Sequence, residues 1–193
     1  MAMTFFDQYG FWLIAGAAAL IAAISLMMRW QRNRLKLFLP LFDNSEARIT
    51  IFFKSKLSGM VRGQPASIIF YPKDKNHPHR REVRLASTRS DVWRITPKGL
   101  AYMEFSLTPK VKTNDPQWDE KYVVRSKSPE AVLYLLGDAK KKEAVELLLA
   151  LPQVRYLGSK GDTLRLFQSH LGIKDSTVAE LQGILDLLAR LNY

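Results

Sequence analysis

The feature that most constrains this chain is an uncharged apolar stretch close to its N-terminus. Residues 11–28 read FWLIAGAAALIAAISLMM and contain no Asp, Glu, Lys or Arg. A helix rises about 1.5 Å per residue, so about 20 such residues cover a hydrocarbon core about 30 Å thick. The stretch therefore predicts a transmembrane helix over residues 11–30. Trp12 and Trp30 stand near its ends, about 27 Å apart along such a helix, where interfacial tryptophans are enriched.

A cleaved secretory signal peptide is the alternative interpretation of the same stretch. Ala15, Ala17 and Ala19 would supply the small residues of a cleavage site. Signal peptides carry positive charge ahead of their apolar region, whereas residues 1–10 contain no Lys or Arg. The apolar run also continues well beyond these alanines. An uncleaved anchor is therefore the favoured prediction.

The charges on either side of the stretch predict its orientation. The short N-terminal tail, residues 1–10, contains one acidic residue and no basic one. Four basic residues follow the stretch within eight positions: Arg29, Arg32, Arg34 and Lys36. Lys and Arg close to a span are retained on the cytoplasmic side. We therefore predict a single-pass protein of the cytoplasmic (inner) membrane, with its N-terminus outside and its C-terminal domain in the cytoplasm.

Small residues recur at every fourth position of the stretch. Ala15, Ala19 and Ala23 share one face of a helix, and small residues at this spacing let a second helix approach closely. The pattern predicts packing against a partner membrane helix. The alternative is that alanine is simply a helix former that the bilayer tolerates.

Beyond the stretch, the pattern predicts a basic juxtamembrane linker over residues 31–47 and one soluble α+β domain over residues 48–193. The apolar run Leu37–Phe42 within the linker favours packing in the core, and the membrane interface is the alternative. Short β-like runs separated by turn-forming residues predict mainly antiparallel strands. These runs are Ile49–Phe53, Ala66–Tyr71, Glu82–Ala86, Val92–Ile95, Ala101–Thr108 and Tyr122–Arg125. Capping residues and helical spacing then predict helices from Pro129, over Lys140–Leu151 and after Thr177, with a hairpin of Val154–Leu157 and Thr163–Phe167 between the last two.

The positive charge is concentrated in the half of the domain sequence that follows the membrane. Residues 29–98 contain 16 basic and 5 acidic residues, whereas residues 99–193 contain 13 and 12. An anionic leaflet attracts basic groups held close to it, so we predict a basic surface that binds anionic lipid head groups. Arg80, Arg81, Arg84 and Arg89 are its candidate residues. The alternative is a solvated surface without a partner.

Two other functional classes have less support. Nucleic acid is a partner that basic charge alone would suggest, but the sequence contains no zinc-finger spacing and no aromatic RNP-like strand. The chain has no cysteine, which excludes disulfides, thiolate metal ligands and thiol nucleophiles. His77 and His79 match no established zinc spacing. We therefore predict no catalytic, metal-binding or cofactor-binding residue.

These observations together favour a non-enzymatic accessory or scaffold subunit, whose helix packs against partner membrane proteins and whose domain docks at the membrane surface. A membrane-tethered binding module for a lipid-like or anionic ligand is the second hypothesis. An enzyme acting on membrane substrates is the third, and no motif supports it, although a spatial catalytic site needs no contiguous motif.

Overall fold

The computed structural model describes residues 5–50, 54–101 and 108–192 of the chain. A 32-residue helix, α1 (Phe5–Lys36), leads into an antiparallel sheet with helices on one of its faces. The strands are β1 (Asp43–Ile49), β2 (Ser55–Val61), β3 (Gln64–Tyr71), β4 (Arg80–Ala86), β5 (Trp93–Pro97), β6 (Lys110–Val111), β7 (Tyr122–Ser126), β8 (Val154–Ser159) and β9 (Thr163–Ser169). The shorter helices are α2 (Lys98–Ala101), α3 (Pro116–Lys121), α4 (Pro129–Gly137), α5 (Ala139–Ala150) and α6 (Val178–Asn192). The predicted α+β class with antiparallel strands and C-terminal helices is confirmed.

The described strands form one sheet in the order β1-β2-β3-β4-β9-β8-β5-β7-β6. The first four strands pair consecutively, each with its neighbour in the chain. The β8–β9 hairpin then lies between β4 and β5, which are consecutive in sequence but not adjacent in the sheet. This placement brings the last third of the chain into the middle of the sheet.

One row of aliphatic residues crosses six strands on the inner face of the sheet. Its members face one another directly across the ladder and are at most 1% exposed: Ile68, Val83, Leu166, Leu157, Ile95 and Val124. Helices α5 and α6 cover this face with their own buried stripes, including Leu148, Leu185 and Leu188. Burying such side chains contributes about 1.5–3 kcal/mol each, so this layer is the main source of the domain's stability.

The C-terminal helices begin where their capping residues predict. The Asp138 carboxylate accepts from the backbone N–H groups of Lys140 and Lys141 at 2.9 and 3.2 Å and starts α5. The Thr177 hydroxyl accepts from the backbone N–H of Glu180 at 3.2 Å at the start of α6. Ser128 precedes α4 without a side-chain capping bond, and Pro129 and Glu130 occupy the first turn of that helix.

Residues 31–47, the segment predicted as a basic juxtamembrane linker, form a folded junction. Helix α1 continues to Lys36, a 3₁₀ turn spans Leu39–Leu41, and β1 already begins at Asp43. The apolar residues of this segment lie in the core, where they are at most 6% exposed: Leu35, Phe38, Leu41 and Phe42. A Cβ added at Gly59 would lie 2.6 Å from the Phe42 Cβ, so β2 needs glycine where the junction crosses it. Helix α1 is thus joined to the domain through the core.

Two other differences concern individual predicted strands. Sequence alternation did not predict β1 or β2, and residues 51–53 of the predicted strand Ile49–Phe53 lie outside the described residues. Most of the predicted strand Ala101–Thr108 also lies outside them, and its first residue ends α2 instead.

Leu35→Ala is expected to lower the free energy of unfolding by about 2–5 kcal/mol, because it opens a cavity at a fully buried position. Leu37→Ala is the matched control, since Leu37 lies two residues away and is 56% exposed. We expect a cost below about 0.5 kcal/mol for the control. Denaturant unfolding of the full chain in detergent micelles measures both values, and equal costs would contradict a junction that belongs to the core.

Candidate functional site

Helix α1 carries a long apolar surface that the domain does not cover. Trp12, Ile14 and Leu20 are 70%, 74% and 62% exposed. By length and composition, it is the one helix among the described residues that could cross a membrane, with a mean hydropathy of 1.8 in its most apolar window. A water-exposed apolar surface of this extent is typical of a membrane or protein contact.

Where α1 enters the domain, its side chains divide into three faces. With about 100° between successive residues, Leu35 and Gln31 share the side that faces the domain. Trp30 and Arg34 lie about 100–140° away from Leu35, and the Arg34 guanidinium lies 5.6 Å from the centre of the Trp30 ring. The remaining basic residues, Arg29, Arg32 and Lys36, lie on the third face. The four predicted flanking cations are therefore split three to one.

The third face of α1 and the edge strand β1 enclose a groove of about 780 Å³, which we name the α1–β1 groove. Its lining residues are Ser25, Met28, Arg29, Arg32, Asn33 and Lys36 from the helix, and Ala47, Arg48, Ile49 and Thr50 from the strand and its end. Four cationic side chains from two elements thus face one space. Like charges this close repel one another, so the groove favours an anion.

Arg48 is the cation of the groove that the sequence did not single out. Its Nε donates to the Glu46 carboxylate at 2.6 Å, and both side chains are exposed. This hydrogen bond, followed by the charge of Glu46, raises the pKa of Arg48 further above its already high ordinary value. Arg48 therefore stays charged. Only the pairing of β1 with β2, together with the approach of α1, shows that it lies beside Arg29 and Arg32.

The opposite side of the same helix end borders a smaller and more apolar cleft, which we name the Trp30 cleft. It has a volume of about 230 Å³ and is lined by Trp30, Gln31, Ser55, Phe70, Tyr71, Pro72, His79, Gly172, Ile173 and Lys174. Burial, followed by the charge of Glu82, raises the pKa of the Tyr71 hydroxyl above its ordinary value of 10.0. Tyr71 therefore stays protonated and donates to Glu82 at 3.0 Å.

Arg80 and Arg84 lie on the outer face of the sheet, opposite the helices. Arg84 stands directly across from Arg165 on β9, and both approach the buried Glu82 carboxylate, at 2.7 and 3.7 Å. Arg94 stands across from Arg125 in the same way on β5 and β7. Like charges directly opposite one another repel. The Glu82 carboxylate offsets part of the repulsion between Arg84 and Arg165.

Arg81 does not belong to a basic surface, and its prediction as a surface residue is wrong. The side chain is fully buried on the inner face of β4. It donates to the Glu180 carboxylate at 2.5 Å, to the Gln168 side-chain oxygen at 2.6 Å and to the Ser176 hydroxyl at 2.6 Å. The signal was present in the sequence, since Arg81 has the same parity as Val83 and Leu85 in a strand with a period of two.

Arg89 also stands apart from the other predicted surface cations. It is exposed in the connection between β4 and β5, and its guanidinium lies 5.0 Å from the centre of the Tyr134 ring on α4. The four residues predicted to form one basic surface therefore occupy three places. Arg80 and Arg84 share the outer face, Arg81 lies in the core, and Arg89 lies beside α4.

The histidines of the β3–β4 connection have local partners. His77 Nδ1 lies 3.0 Å from the Asp74 carboxylate, and His79 Nδ1 accepts from the backbone N–H of Lys73 at 3.2 Å. Within the described parts of the chain, no group of three or more His, Asp or Glu side chains is placed to hold a metal ion. The structure therefore places these histidines in the connection between β3 and β4.

The domain resembles one solved structure in its fold. The crystal structure of the mycobacterial trehalose monomycolate transport factor A aligns with 76% of this chain and 77% of its own, with a TM-score of 0.52 and 11% sequence identity. No protein-family model and no curated protein sequence matches the chain. At this identity, the likeness concerns the fold alone.

Proposed function

We propose that this protein is a single-pass accessory protein of a bacterial-type cytoplasmic membrane, which packs its helix against other membrane subunits and holds its α+β domain at the membrane surface. The observation that carries the proposal is the continuity of α1, which runs from an exposed apolar surface directly into the core at Leu35. A flexible linker would leave the domain free to move. This junction instead gives the domain a fixed distance from the bilayer.

We infer a cytoplasmic location for the domain from the flanking charges. Arg29, Arg32, Arg34 and Lys36 follow the apolar stretch, and no basic residue precedes it. All four are exposed and form no part of the core. Their number and position therefore support retention of this end of the helix in the cytoplasm.

The geometry of α1 supports packing against a partner helix. At about 100° per residue, Ala15, Ala19 and Ala23 lie about 120–160° around the helix from Leu35, which faces the domain. A second helix packed on this ridge would therefore lie on the side of α1 that faces away from the domain. Small side chains there let the two backbones approach closely.

The fold likeness supports an accessory role in lipid transport. The neighbouring structure is that of a transport factor for trehalose monomycolate, and we extend only the class, a lipid-transport accessory protein, to this chain. The sequence supports a non-enzymatic role, because it contains no nucleophile-elbow, kinase or paired-carboxylate motif. The α1–β1 groove favours one addition, namely binding of an anionic or lipid-like ligand.

The test is co-extraction of partner subunits. Mild detergent extraction followed by identification of co-migrating proteins is expected to recover other membrane proteins with this chain. Ala19→Leu is expected to lower that recovery about tenfold, because a bulky side chain separates the ridge from its partner. Ala17→Leu is the matched control, since Ala17 lies about 160° away from Ala19 around the helix.

Two results would contradict the proposal. One is extraction of the wild-type chain as a lone monomer. The other is equal recovery of partners with Ala19→Leu and with the wild type, which would show that Ala15, Ala19 and Ala23 do not contact a partner helix.

A further inference from the structure

We propose that the α1–β1 groove binds the headgroup of one anionic phospholipid and holds its phosphate between cations of the helix and of the edge strand. This inference rests on the proposed function, because a phospholipid reaches the groove only if α1 lies in a bilayer. It goes further by replacing a general attraction to an anionic surface with one site of defined residues.

The groove lies at the depth of lipid head groups. Arg29 is the first charged residue after the apolar stretch, and Arg32 follows about 4.5 Å further along the axis. The polar region of a bilayer extends about 5–8 Å beyond the hydrocarbon core on each side. The phosphate of a lipid in that leaflet would therefore lie level with these two guanidinium groups.

The chemistry of the lining follows the parts of a phospholipid. Arginine binds phosphate through paired N–H donors, and the groove contains three arginines and one lysine. At the membrane end, Ser25 and Met28 offer a small and an apolar contact for the start of the acyl chains. Asn33 and Thr50 also line the groove and carry neutral polar groups that suit the hydroxyls of a glycerol headgroup. The volume of about 780 Å³ lies in the usual range for small-molecule sites.

The two walls of the groove are held in place independently. Leu35 fixes the helix end in the core, and the paired β2 fixes β1 from the other side. Glu46 holds the Arg48 guanidinium by a hydrogen bond of 2.6 Å. The cations are therefore brought together by the fold and not by flexible side chains alone, which lowers the entropy cost of binding.

Retention of lipid by the full chain tests this proposal. The protein in detergent micelles is exposed to equal amounts of phosphatidylglycerol and phosphatidylcholine, and the lipids that remain bound are counted by native mass spectrometry. We expect one phosphatidylglycerol per chain. Arg32→Gln and Arg48→Gln, at exposed positions in the two walls, are each expected to weaken its retention about tenfold through the loss of a charge-assisted hydrogen bond.

Arg34→Gln is the matched control. It removes the same charge from the same helical turn, but Arg34 lies over Trp30 and does not line the groove. We expect its phosphatidylglycerol retention to equal that of the wild type. An equal loss of phosphatidylglycerol from Arg34→Gln and Arg32→Gln would overturn the proposal, because it would mean that the lipid is attracted by the general positive charge and not by one site. Equal retention of phosphatidylcholine would also overturn it.

Two further arms separate related explanations. Inorganic phosphate at the concentration of the lipid is expected to leave phosphatidylglycerol bound, and complete displacement would identify a free-phosphate site instead and overturn the proposal. Partner subunits that still co-migrate with a chain that retains no lipid would overturn this inference while leaving the proposed accessory function intact.

Discussion

Glu180→Ala is expected to lower the free energy of unfolding by about 3 kcal/mol. Arg81 is fully buried, and Glu180 is the one carboxylate that pairs with it in the described parts of the chain. Removing one member of such a pair leaves an uncompensated buried charge, which costs about 3–5 kcal/mol. We place the cost at the lower end because the Glu180 side chain is 25% exposed and Gln168 and Ser176 still accept hydrogen bonds from Arg81.

Asp186→Ala is the matched control on the same helix. Asp186 forms a 2.7 Å ion pair with Arg62, but these side chains are 33% and 54% exposed, so water screens the pair. Its loss is expected to cost less than about 1 kcal/mol. Denaturant unfolding of the full chain in detergent measures both variants. A cost for Glu180→Ala that is no larger than that of Asp186→Ala would show that water reaches Arg81 in solution.

The double variant Arg81→Met with Glu180→Met separates charge burial from packing. With both charges absent, no ion is left buried, and the cost is expected to be smaller than that of Glu180→Ala. Part of the loss remains, because the buried Gln168 side-chain oxygen then lacks its partner. A double variant less stable than the single one would mean that Arg81 mainly contributes packing volume.

The helices could be predicted from the sequence because their signals are local. A capping residue, the helical spacing of apolar residues and a terminating Gly or Pro all lie within one short segment, as at Asp138 and Thr177. The same signals did not predict the role of Glu180. Its position three residues after Thr177 favours a capping box, but its carboxylate binds Arg81, which lies 99 residues away along the chain.

The sheet order could not be predicted because it depends on distant pairs. Strand β4 lies beside β9, so residues near 83 pair with residues near 166. Alternation predicts which side chains share a face but not which strands are neighbours. The α1–β1 groove could not be predicted for the same reason, since it depends on which elements lie side by side. Its helical wall was recognised from Arg29, Arg32 and Lys36, whereas Arg48 and Thr50 join it only through the folded junction.

The junction could be predicted only in part, because its apolar residues are interrupted by charged ones and by Pro40. The run Leu37–Phe42 favours core packing by its apolar character, but the pattern predicts neither a strand nor a second helix there and does not include Leu35. In the structure, these side chains reach the core from a helix end and a 3₁₀ turn, which have no long-range periodicity. Which side chains of a short connection are buried is a tertiary effect, as the exposed Leu37 and the buried Leu35 show.

Neutralising the four basic residues that follow the apolar stretch is expected to produce a mixed or inverted membrane orientation. These residues supply the whole charge difference between the two flanks, 4 to 0. All four are exposed, so glutamine at these positions is expected to leave the domain folded. Arg48 lies 20 positions beyond Met28, at the limit of the range over which flanking charge sets orientation. We therefore expect the quadruple variant to form a mixture of both membrane orientations and not to invert completely.

A protease applied to sealed, right-side-out cells measures the orientation. In the wild type, residues 31–193 are expected to stay intact, whereas the quadruple variant is expected to lose a fraction of its domain to digestion. The matched control removes an equal number of exposed charges far from the stretch along the chain: Lys110, Lys112, Lys140 and Lys160. It is expected to behave as the wild type, because orientation depends on charge close to the span and not on net charge. Digestion of the wild-type domain from outside would refute the cytoplasmic assignment, and full protection of the quadruple variant would show that other parts of the chain set the orientation.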